Sequence, residues 1–402
     1  MDGKRLIEKL RLHNILSFGP EGIEVELQPL NVLIGPNASG KSNLIEAVGL
    51  LHAAPRDLAK PFREGGGIDE WLWKGGRSSR VADLVASVWY MELPGVLALR
   101  HSTHFSSSQQ HLTLLDEQIS GMRAKAHDDE GNVFVYRHPR GNPASVARTV
   151  DKPAVGRELF SLPENKLDAG QSVLSQLRDP DQYPEITYLG DQFGAIRLYR
   201  DWNFGRTQAP RRPQPTDLPE DTLEEDASNL GLVLNHLENQ GMKRALVERA
   251  RVFCEDIEDI TTKVQGGTIQ VFVHERGRGP IPATRLSDGT LRYLCLLTIL
   301  CHPDPPPLVC IEEPELGLHP DILSTVAELL IEASGRMQLI VTTHSDILVS
   351  ALSEVPESVL VCDRDEHGTQ LTRLERGPLE EWLEKYSLGD YWLSGGIGGT
   401  RW

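Results

Sequence analysis

The chain has 402 residues, 39% of them hydrophobic, which is enough for about two or three domains of average size with buried cores. Its 41 basic and 58 acidic side chains give a net charge of −17, which disfavours nonspecific binding of the whole chain to nucleic acid. The five cysteines include no C-x-x-C pair, which indicates reduced thiols in a cytoplasmic protein rather than a metal site. The longest apolar stretch, residues 291–301, is interrupted by Arg292, and the N-terminus lacks the apolar core of a signal peptide, so we expect no membrane segment.

A glycine-rich loop follows the first predicted strands, with the sequence GPNASGKS at residues 35–42. It fits the pattern G-x-x-x-x-G-K-[ST], in which the glycines let successive backbone N–H groups point at phosphate oxygens. Residues 31–34 predict a buried strand before the loop and residues 42–51 a helix after it, which is the required order. The pattern predicts ATP as the ligand, with Lys41 at the β and γ phosphates and Ser42 at Mg²⁺. The predicted nucleotide-binding residues are Asn37, Ala38, Ser39, Gly40, Lys41 and Ser42.

The middle of the chain changes pattern after Pro55. Alternating apolar runs at residues 81–93, 96–105, 111–119 and 132–138 predict a small antiparallel sheet. Residues 141–185 are rich in turns, and residues 206–219 form a linker rich in proline and arginine. Helical spacing of apolar residues predicts a helix over residues 221–251, and residues 268–275 predict a strand that returns to the core.

Two adjacent acids follow the buried strand predicted at residues 308–311. These are Glu312 and Glu313, and they lie at the carboxyl end of the strand, where α/β sheets bind ligands. Adjacent strand residues point to opposite sides, so one carboxylate can help to hold Mg²⁺ while the other orients or deprotonates a water molecule. A solvated acidic turn is the alternative.

At this point the chain resembles the ABC-type ATPase heads of the RecF, SMC and OLD-like group, which include many bacterial AAA family ATPases. The resemblance rests on the phosphate loop, LSDGT at 286–290, the acid pair with LGLHP at 316–320, and His344 after the strand LIVTT. It is strong over residues 1–54 and 280–360 and loose between them. It implies an α/β fold: an ABC-type P-loop nucleotide-binding head with an antiparallel β subdomain and a helical subdomain.

The resemblance also implies roles for single residues. Glu313 and His344 would be catalytic, Glu312 and Ser42 would hold the metal ion, and Ser287 and Gly289 of the signature loop would contact ATP bound by a second copy in a head-to-tail dimer. An ordinary serine cap on a helix is the alternative for Ser287. The family usually has Asp at the position of Glu312. Its glutamine loop is not identifiable among the candidates Gln171, Gln176, Gln182 and Gln192.

These patterns divide the chain into five predicted segments. Residues 1–54 form the first half of the ATPase core, 55–212 an inserted β-rich and irregular subdomain, 213–279 a helical segment and return strand, 280–381 the second half of the core, and 382–402 an aromatic, glycine-rich tail.

The partner of such an ATPase is less clear from the residues. Arg197, Arg200, Arg206, Arg211 and Arg212 have the composition of a nucleic-acid contact, although they could instead pair with the acidic run at residues 217–226. The aromatic tail could dock onto a partner or could be disordered. Asp363 and Asp365 could suggest a TOPRIM nuclease, but the residues after them are too few for that fold and predict a hairpin turning at His367 and Gly368.

Two functions remain open from the sequence. The resemblance suggests an ATPase that dimerises on ATP, or forms a higher oligomer, and regulates a separately encoded effector, such as a nuclease, in antiphage defence. The alternative is a RecF-like DNA-binding ATPase in DNA repair or recombination.

Overall fold

The computed structural model describes residues 3–75, 81–90, 96–123, 133–139, 142–148, 158–162, 167–168 and 170–398. The predicted runs at 81–93 and 132–138 extend outside these residues at positions 91–93 and 132, and so does the predicted tail at positions 399–402. Within the described ranges, no helix is both long and apolar enough to cross a membrane.

The secondary structure alternates between strands and helices at both ends of the chain. The strands are β1 (Ile7–His13), β2 (Ile23–Glu26), β3 (Leu30–Ile34), β4 (Val81–Trp89), β5 (Val96–Ser108), β6 (His111–Arg123), β7 (Val133–Pro139), β8 (Ser145–Arg148), β9 (Glu158–Ser161), β10 (Arg197–Tyr199), β11 (Gln214–Pro215), β12 (Ile257–Gln265), β13 (Thr268–Glu275), β14 (Ile281–Pro282), β15 (Leu308–Glu312), β16 (Gln338–Thr342), β17 (Val359–Asp365) and β18 (Gly368–Arg373). The helices are α1 (Lys41–Ala53), α2 (Lys60–Glu64), α3 (Ile68–Trp71), α4 (Val173–Gln176), α5 (Pro184–Gly194), α6 (Leu230–Asn239), α7 (Lys243–Phe253), α8 (Asp288–Leu300), α9 (Leu323–Ser334), α10 (Asp346–Ser350), α11 (Arg376–Leu383) and α12 (Leu388–Leu393).

A mostly parallel sheet forms the centre of the molecule. Its order is β10-β15-β16-β3-β17-β18, and only β18 is antiparallel to its neighbour. The central strands are buried along almost their whole length and are mostly apolar, because both faces of the sheet are covered, as is usual for parallel sheets. Alternate residues pack into two different cores: Leu33 and Cys310 lie on one face, and Val32 and Val309 on the other.

An antiparallel sheet covers one side of the central sheet. Its order is β2-β1-β4-β5-β6-β7-β8-β9 in the described residues, so the antiparallel sheet predicted from the alternating runs is confirmed. In this sheet β1 pairs with β2 on one side and with β4 on the other, and the phosphate-loop strand β3 belongs to the central sheet. The predicted α/β class, with an antiparallel subdomain, is likewise confirmed.

The helical segment differs from its prediction. The sequence predicts one helix over residues 221–251, but residues 221–229 form turns and the rest splits into α6 and α7. The break falls at Gly241, whose φ of +81° is a left-handed conformation that ends helices. The predicted return strand is β13, which pairs with β11, β12 and β14 in a small third sheet.

The C-terminal elements complete the central sheet. The predicted hairpin is present as β17 and β18, with Asp365 opposite Gly368. The tail, for which the sequence leaves docking onto a partner and disorder both open, forms α12, which packs on α10 and buries Trp392 to 6% exposure. Ser387 caps α12 with a capping box, which explains why the helix begins there.

Candidate nucleotide site

The loop between β3 and α1 requires its glycines. Gly35 and Gly40 have φ values of +146° and +106°, and Ala38 has +63°. A Cβ atom at Gly35 would lie 2.2 Å from the carbonyl oxygen of Cys362, and one at Gly40 would lie 2.2 Å from the Thr369 hydroxyl. Both positions therefore need glycine for its backbone conformation and for close approach.

Strand β18 fixes the phosphate loop from the side. Thr369 is 1% exposed, and its hydroxyl donates a hydrogen bond to the carbonyl of Ser39 at 2.7 Å. The same hydroxyl lies 2.7 Å from Ser17 Oγ, and the Thr369 amide donates to the Ser17 carbonyl at 2.8 Å. Residues far apart in sequence thus hold the loop in place.

The loop has polar groups suited to a phosphate. The hydroxyl of Ser39 is buried and has no hydrogen-bond partner in the described part of the chain. Lys41 is 6% exposed, and its amine donates to the loop carbonyls of Gly35 at 2.8 Å and Pro36 at 3.0 Å. An orphaned hydroxyl and a buried ammonium group on a glycine loop fit the phosphates of a nucleotide.

The predicted base, Glu313, lies directly after β15 in an unusual conformation. Its φ is +46°, which is uncommon for a residue other than glycine, asparagine or aspartate. The backbone N–H of Glu313 donates to the carbonyl of Thr342 at 3.0 Å, which holds the residue against the next strand. Burial lowers the pKa of Lys41, and Cys362, Glu313 and Glu315 oppose that shift.

The structure brings His344 next to Glu313. Nε2 of His344 lies 3.6 Å from a Glu313 carboxylate oxygen, and both side chains are partly exposed. Burial and the charge of Lys41 lower the pKa of His344, so its neutral form is favoured. The two residues predicted to be catalytic are therefore neighbours.

Glu315 is a part of this site that the sequence interpretation missed. Its carboxylate accepts hydrogen bonds from the Thr343 hydroxyl and from the backbone N–H of His344, both at 2.7 Å. Burial raises the pKa of Glu315, while these hydrogen bonds oppose the rise. The sequence shows an acid at this position, two residues after the acid pair. It does not show that the side chain points toward Thr343 and His344, which only the fold reveals. Glu315 ties the loop after β15 to the segment that carries His344.

The predicted metal ligands lie on neighbouring elements. Ser42 is exposed on the first turn of α1, and Glu312 ends β15 with its side chain 18% exposed. Burial raises the pKa of Glu312, and Arg200 opposes the rise through a contact of 3.3 Å between its Nε and the carboxylate. One hydroxyl and one carboxylate suit Mg²⁺, which commonly takes one or two protein ligands together with phosphate and water oxygens.

The signature loop begins α8. Ser287 is the N-cap, and its hydroxyl accepts a hydrogen bond from the backbone N–H of Thr290 at 3.0 Å, so the serine-cap interpretation holds within one chain. A Cβ atom at Gly289 would lie 2.7 Å from the carbonyl oxygen of Gly317, in the LGLHP loop. That loop exposes half of Leu316. The signature loop and the loop after the acid pair are therefore in contact: Ser287 bonds to Thr290 of its own helix, and Gly289 lies against Gly317.

The arginines proposed as a nucleic-acid contact do not form one surface. Arg200 pairs with Glu46 and Glu312, and Arg211 is 5% exposed, with hydrogen bonds to the carbonyls of Phe204, Ala283 and Leu286 and to Asp288. Arg197 donates to the carbonyls of Gly194 and Ile196 and to the Thr222 hydroxyl. Arg206 and Arg212 are exposed. The alternative, pairing with the acidic run at 217–226, is also wrong for Arg200 and Arg211, whose acidic partners lie elsewhere.

Similarity to known proteins agrees with this geometry. The family described as "AAA domain, putative AbiEii toxin, Type IV TA system" matches residues 30–87 and 144–350. No curated protein matches the chain.

Solved structures of Smc heads share the fold. An Smc head bound to the C-winged helix domain of ScpA has a TM-score of 0.59 at 14% identity, covering 94% of this chain and 99% of that chain. A Pyrococcus furiosus Smc head with an extended coiled coil, bound to the C-terminal domain of ScpA, gives the same values. A Pyrococcus yayanosii Smc head with coiled coil and joint has a TM-score of 0.50 at 11% identity, covering 94% and 99%. With the phosphate loop, the central sheet and the family match together, the chain belongs to the family "AAA domain, putative AbiEii toxin, Type IV TA system", and it is an ATPase with an ABC-type, SMC-like head.

Proposed function

We propose that the chain hydrolyses ATP at a site shared between two copies and that this cycle regulates a separately encoded effector protein. The observation that carries the proposal is that Glu313 and His344 lie 3.6 Å apart at the carboxyl ends of β15 and β16, the edge of the sheet at which the phosphate loop leaves β3. In this scheme the residues at positions 37–42 bind the phosphates, Glu312 and Ser42 hold Mg²⁺, and Glu313 orients or deprotonates the attacking water. When bound, Mg²⁺ neutralises charge that develops on the phosphates during transfer.

The neighbours of Glu313 support its assignment as the base. His344 lies 3.6 Å away, and burial and Lys41 disfavour its charged form, so it can accept or share a proton with a group beside the γ phosphate. The left-handed backbone at Glu313 supports a constrained functional position, because such a conformation costs about 1–3 kcal/mol and persists only where the surroundings impose it.

The signature loop supports the need for a second copy. Ser287 begins α8 with a hydroxyl and backbone N–H groups at the helix N-terminus, which is a suitable receptor for a phosphate. Leu316 beside it is half exposed, although large apolar side chains are usually buried. A head-to-tail partner would cover Leu316 and place Ser287 and Gly289 against ATP held by the other copy.

Regulation of a partner is supported by similarity rather than by chemistry within the chain. The family description names a putative toxin of a toxin–antitoxin system, and the Smc heads with the same fold were solved bound to ScpA. Both are compatible with an ATPase whose closure controls another protein, including an antiphage effector. The inward position of Arg200 and Arg211 weakens the alternative of a RecF-like DNA-binding ATPase.

The variant Glu313→Gln tests the assignment. We expect it to retain ATP binding, to lose about 10²–10⁴-fold in turnover, and to accumulate a dimer in size-exclusion chromatography with ATP. Glu354→Gln is a matched control, because Glu354 is 93% exposed and lies outside the site. Undiminished turnover in Glu313→Gln would exclude Glu313 as the base, and a monomer in the presence of ATP would exclude the shared site. Copurification of the native chain with a neighbouring gene product would test the effector.

A further inference from the structure

Arg200 lies between the candidate metal ligand Glu312 and a second carboxylate. Its guanidinium lies 3.3 Å from Glu312 and 2.9 Å from Glu46, and all three side chains are no more than about a third exposed. An arginine side chain is not deprotonated in proteins, and both contacts join its guanidinium to a carboxylate. The guanidinium therefore stays charged and neutralises two acids at once.

The pairing of β10 with β15 places Arg200 beside Glu312. Strand β10 pairs in parallel with β15, with Tyr199 opposite Ile311, so the next residues, Arg200 and Glu312, leave the sheet side by side. Glu46 lies on α1 one helical turn after Ser42, so both side chains project from one face of that helix. Arg200 thus links Glu312 to the face of α1 that also carries Ser42.

In the proposed site, Mg²⁺ and the guanidinium of Arg200 would both bind the carboxylate of Glu312. Bringing Mg²⁺ against Glu312 while Arg200 stays in contact would place like charges together in a partly buried site, where they repel strongly. With Glu46 beside it, Glu312 also needs a positive neighbour when no metal ion is bound, because two adjacent carboxylates repel each other.

We propose that Arg200 is a built-in counterion that occupies Glu312 in the nucleotide-free chain and is exchanged for Mg²⁺ when ATP binds. This inference rests on the proposed roles of Glu312 and Ser42. Arg200 is a positioning residue: it holds the carboxylate charged and in place, and it makes metal binding depend on the energy that ATP contributes.

Trp202 lies near Arg200 in the sequence and provides a reporter for its movement. Trp202, two residues later, packs against Tyr199 and Phe204 with ring centroids 5.8 Å apart. The guanidinium of Arg292, on α8, lies 5.3 Å from the Trp202 ring. Because only Asp201 separates Arg200 from Trp202, we expect a shift of Arg200 to change the surroundings of Trp202, which supplies a spectroscopic signal besides activity.

The test measures binding of the nonhydrolysable analogue AMP-PNP by calorimetry across a series of free Mg²⁺ concentrations. We expect Arg200→Met to lower the Mg²⁺ concentration that gives half of the gain in affinity by about fivefold or more, a typical size for coupling between two ligands. Arg200→Lys keeps the charge but cannot bridge two carboxylates with a planar fork, so we expect an intermediate shift. Arg197→Met is the matched control and should leave the Mg²⁺ dependence unchanged, since Arg197 donates to carbonyls and the Thr222 hydroxyl.

Tryptophan emission gives the second measurement. We expect a change on adding AMP-PNP with Mg²⁺ that is absent with AMP-PNP and EDTA, that disappears in Trp202→Phe, and that is lost in Arg200→Met. An unchanged Mg²⁺ dependence in Arg200→Met would overturn the exchange, and so would Arg200→Lys shifting as far as Arg200→Met, because the lysine keeps the charge that the exchange depends on. A native chain whose affinity for AMP-PNP does not depend on Mg²⁺ would instead overturn the proposed metal role of Glu312 and Ser42.

Discussion

The contact between Thr369 and the phosphate loop gives a sharp prediction for nucleotide binding. Thr369→Val keeps the shape of the side chain but removes the hydroxyl, which donates to the carbonyl of Ser39 and lies 2.7 Å from Ser17 Oγ. Because Thr369 is 1% exposed, water cannot replace these contacts, and a buried polar group left without a partner costs about 1–3 kcal/mol. If about 2 kcal/mol of this cost falls on the bound conformation of the loop, the Kd for ATP rises roughly 30-fold.

This free-energy cost can weaken ATP binding or destabilise the fold. Calorimetry with ATP measures the first effect, and thermal unfolding without ATP measures the second. We expect Thr369→Ser, which keeps the hydroxyl, to bind ATP within a few-fold of the native chain, while Thr369→Val binds it at least tenfold more weakly. The reasoning fails if Thr369→Val has native affinity for ATP. A lower melting temperature with unchanged affinity would mean that β18 stabilises the fold but does not position the loop.

The remaining predictions concern three other residues. Lys41→Ala should abolish ATP binding in calorimetry while leaving the melting temperature near that of the native chain, since Lys41 bonds only to carbonyls of its own loop. Glu315→Ala should reduce ATP turnover at least tenfold, because it leaves the backbone N–H of His344 unpaired, whereas Glu315→Gln keeps an acceptor and should retain most turnover. Burial and Arg56 lower the pKa of His52 to about 4, so the unfolded chain binds more protons between pH 4 and the ordinary value near 6.5, and the free energy of unfolding should fall as pH drops through that window. Denaturant unfolding should show a weaker dependence in His52→Gln, and an unchanged one would contradict the assignment.

The phosphate loop and the hairpin could be predicted from sequence because each depends on residues that are close together in the chain. The phosphate loop requires glycine at positions fixed by its backbone, and the strands on each side are apolar because both faces of the sheet are covered. The hairpin at β17 and β18 was likewise visible as two apolar runs around His367 and Gly368. Spacing along the chain is sufficient for such features.

The contacts between distant segments could not be predicted in this way. The hydroxyl of Thr369 meets Ser39 across most of the chain length, and nothing in the sequence around either residue indicates the pairing. The sequence around Arg200 is typical of an exposed, arginine-rich loop. The register of β10 against β15 nevertheless places Arg200 beside Glu312. The split between α6 and α7 was missed because the helical spacing of apolar residues continues across Gly241, whereas the backbone at Gly241 leaves the helical conformation.

The segment at residues 200–211 shows why the insert cannot be separated from the catalytic core. At one end Arg200 contacts Glu312, and at the other end the buried Arg211 donates to the carbonyl of Leu286 and to Asp288. Asp288 is the first residue of α8, so Arg211 holds the loop that presents Ser287. Because a buried arginine must satisfy its donors, the signature loop cannot shift without breaking these bonds or moving the segment with it. One short stretch therefore connects Glu312, which is proposed to act on the nucleotide of its own chain, with the loop that is proposed to contact the nucleotide of the partner.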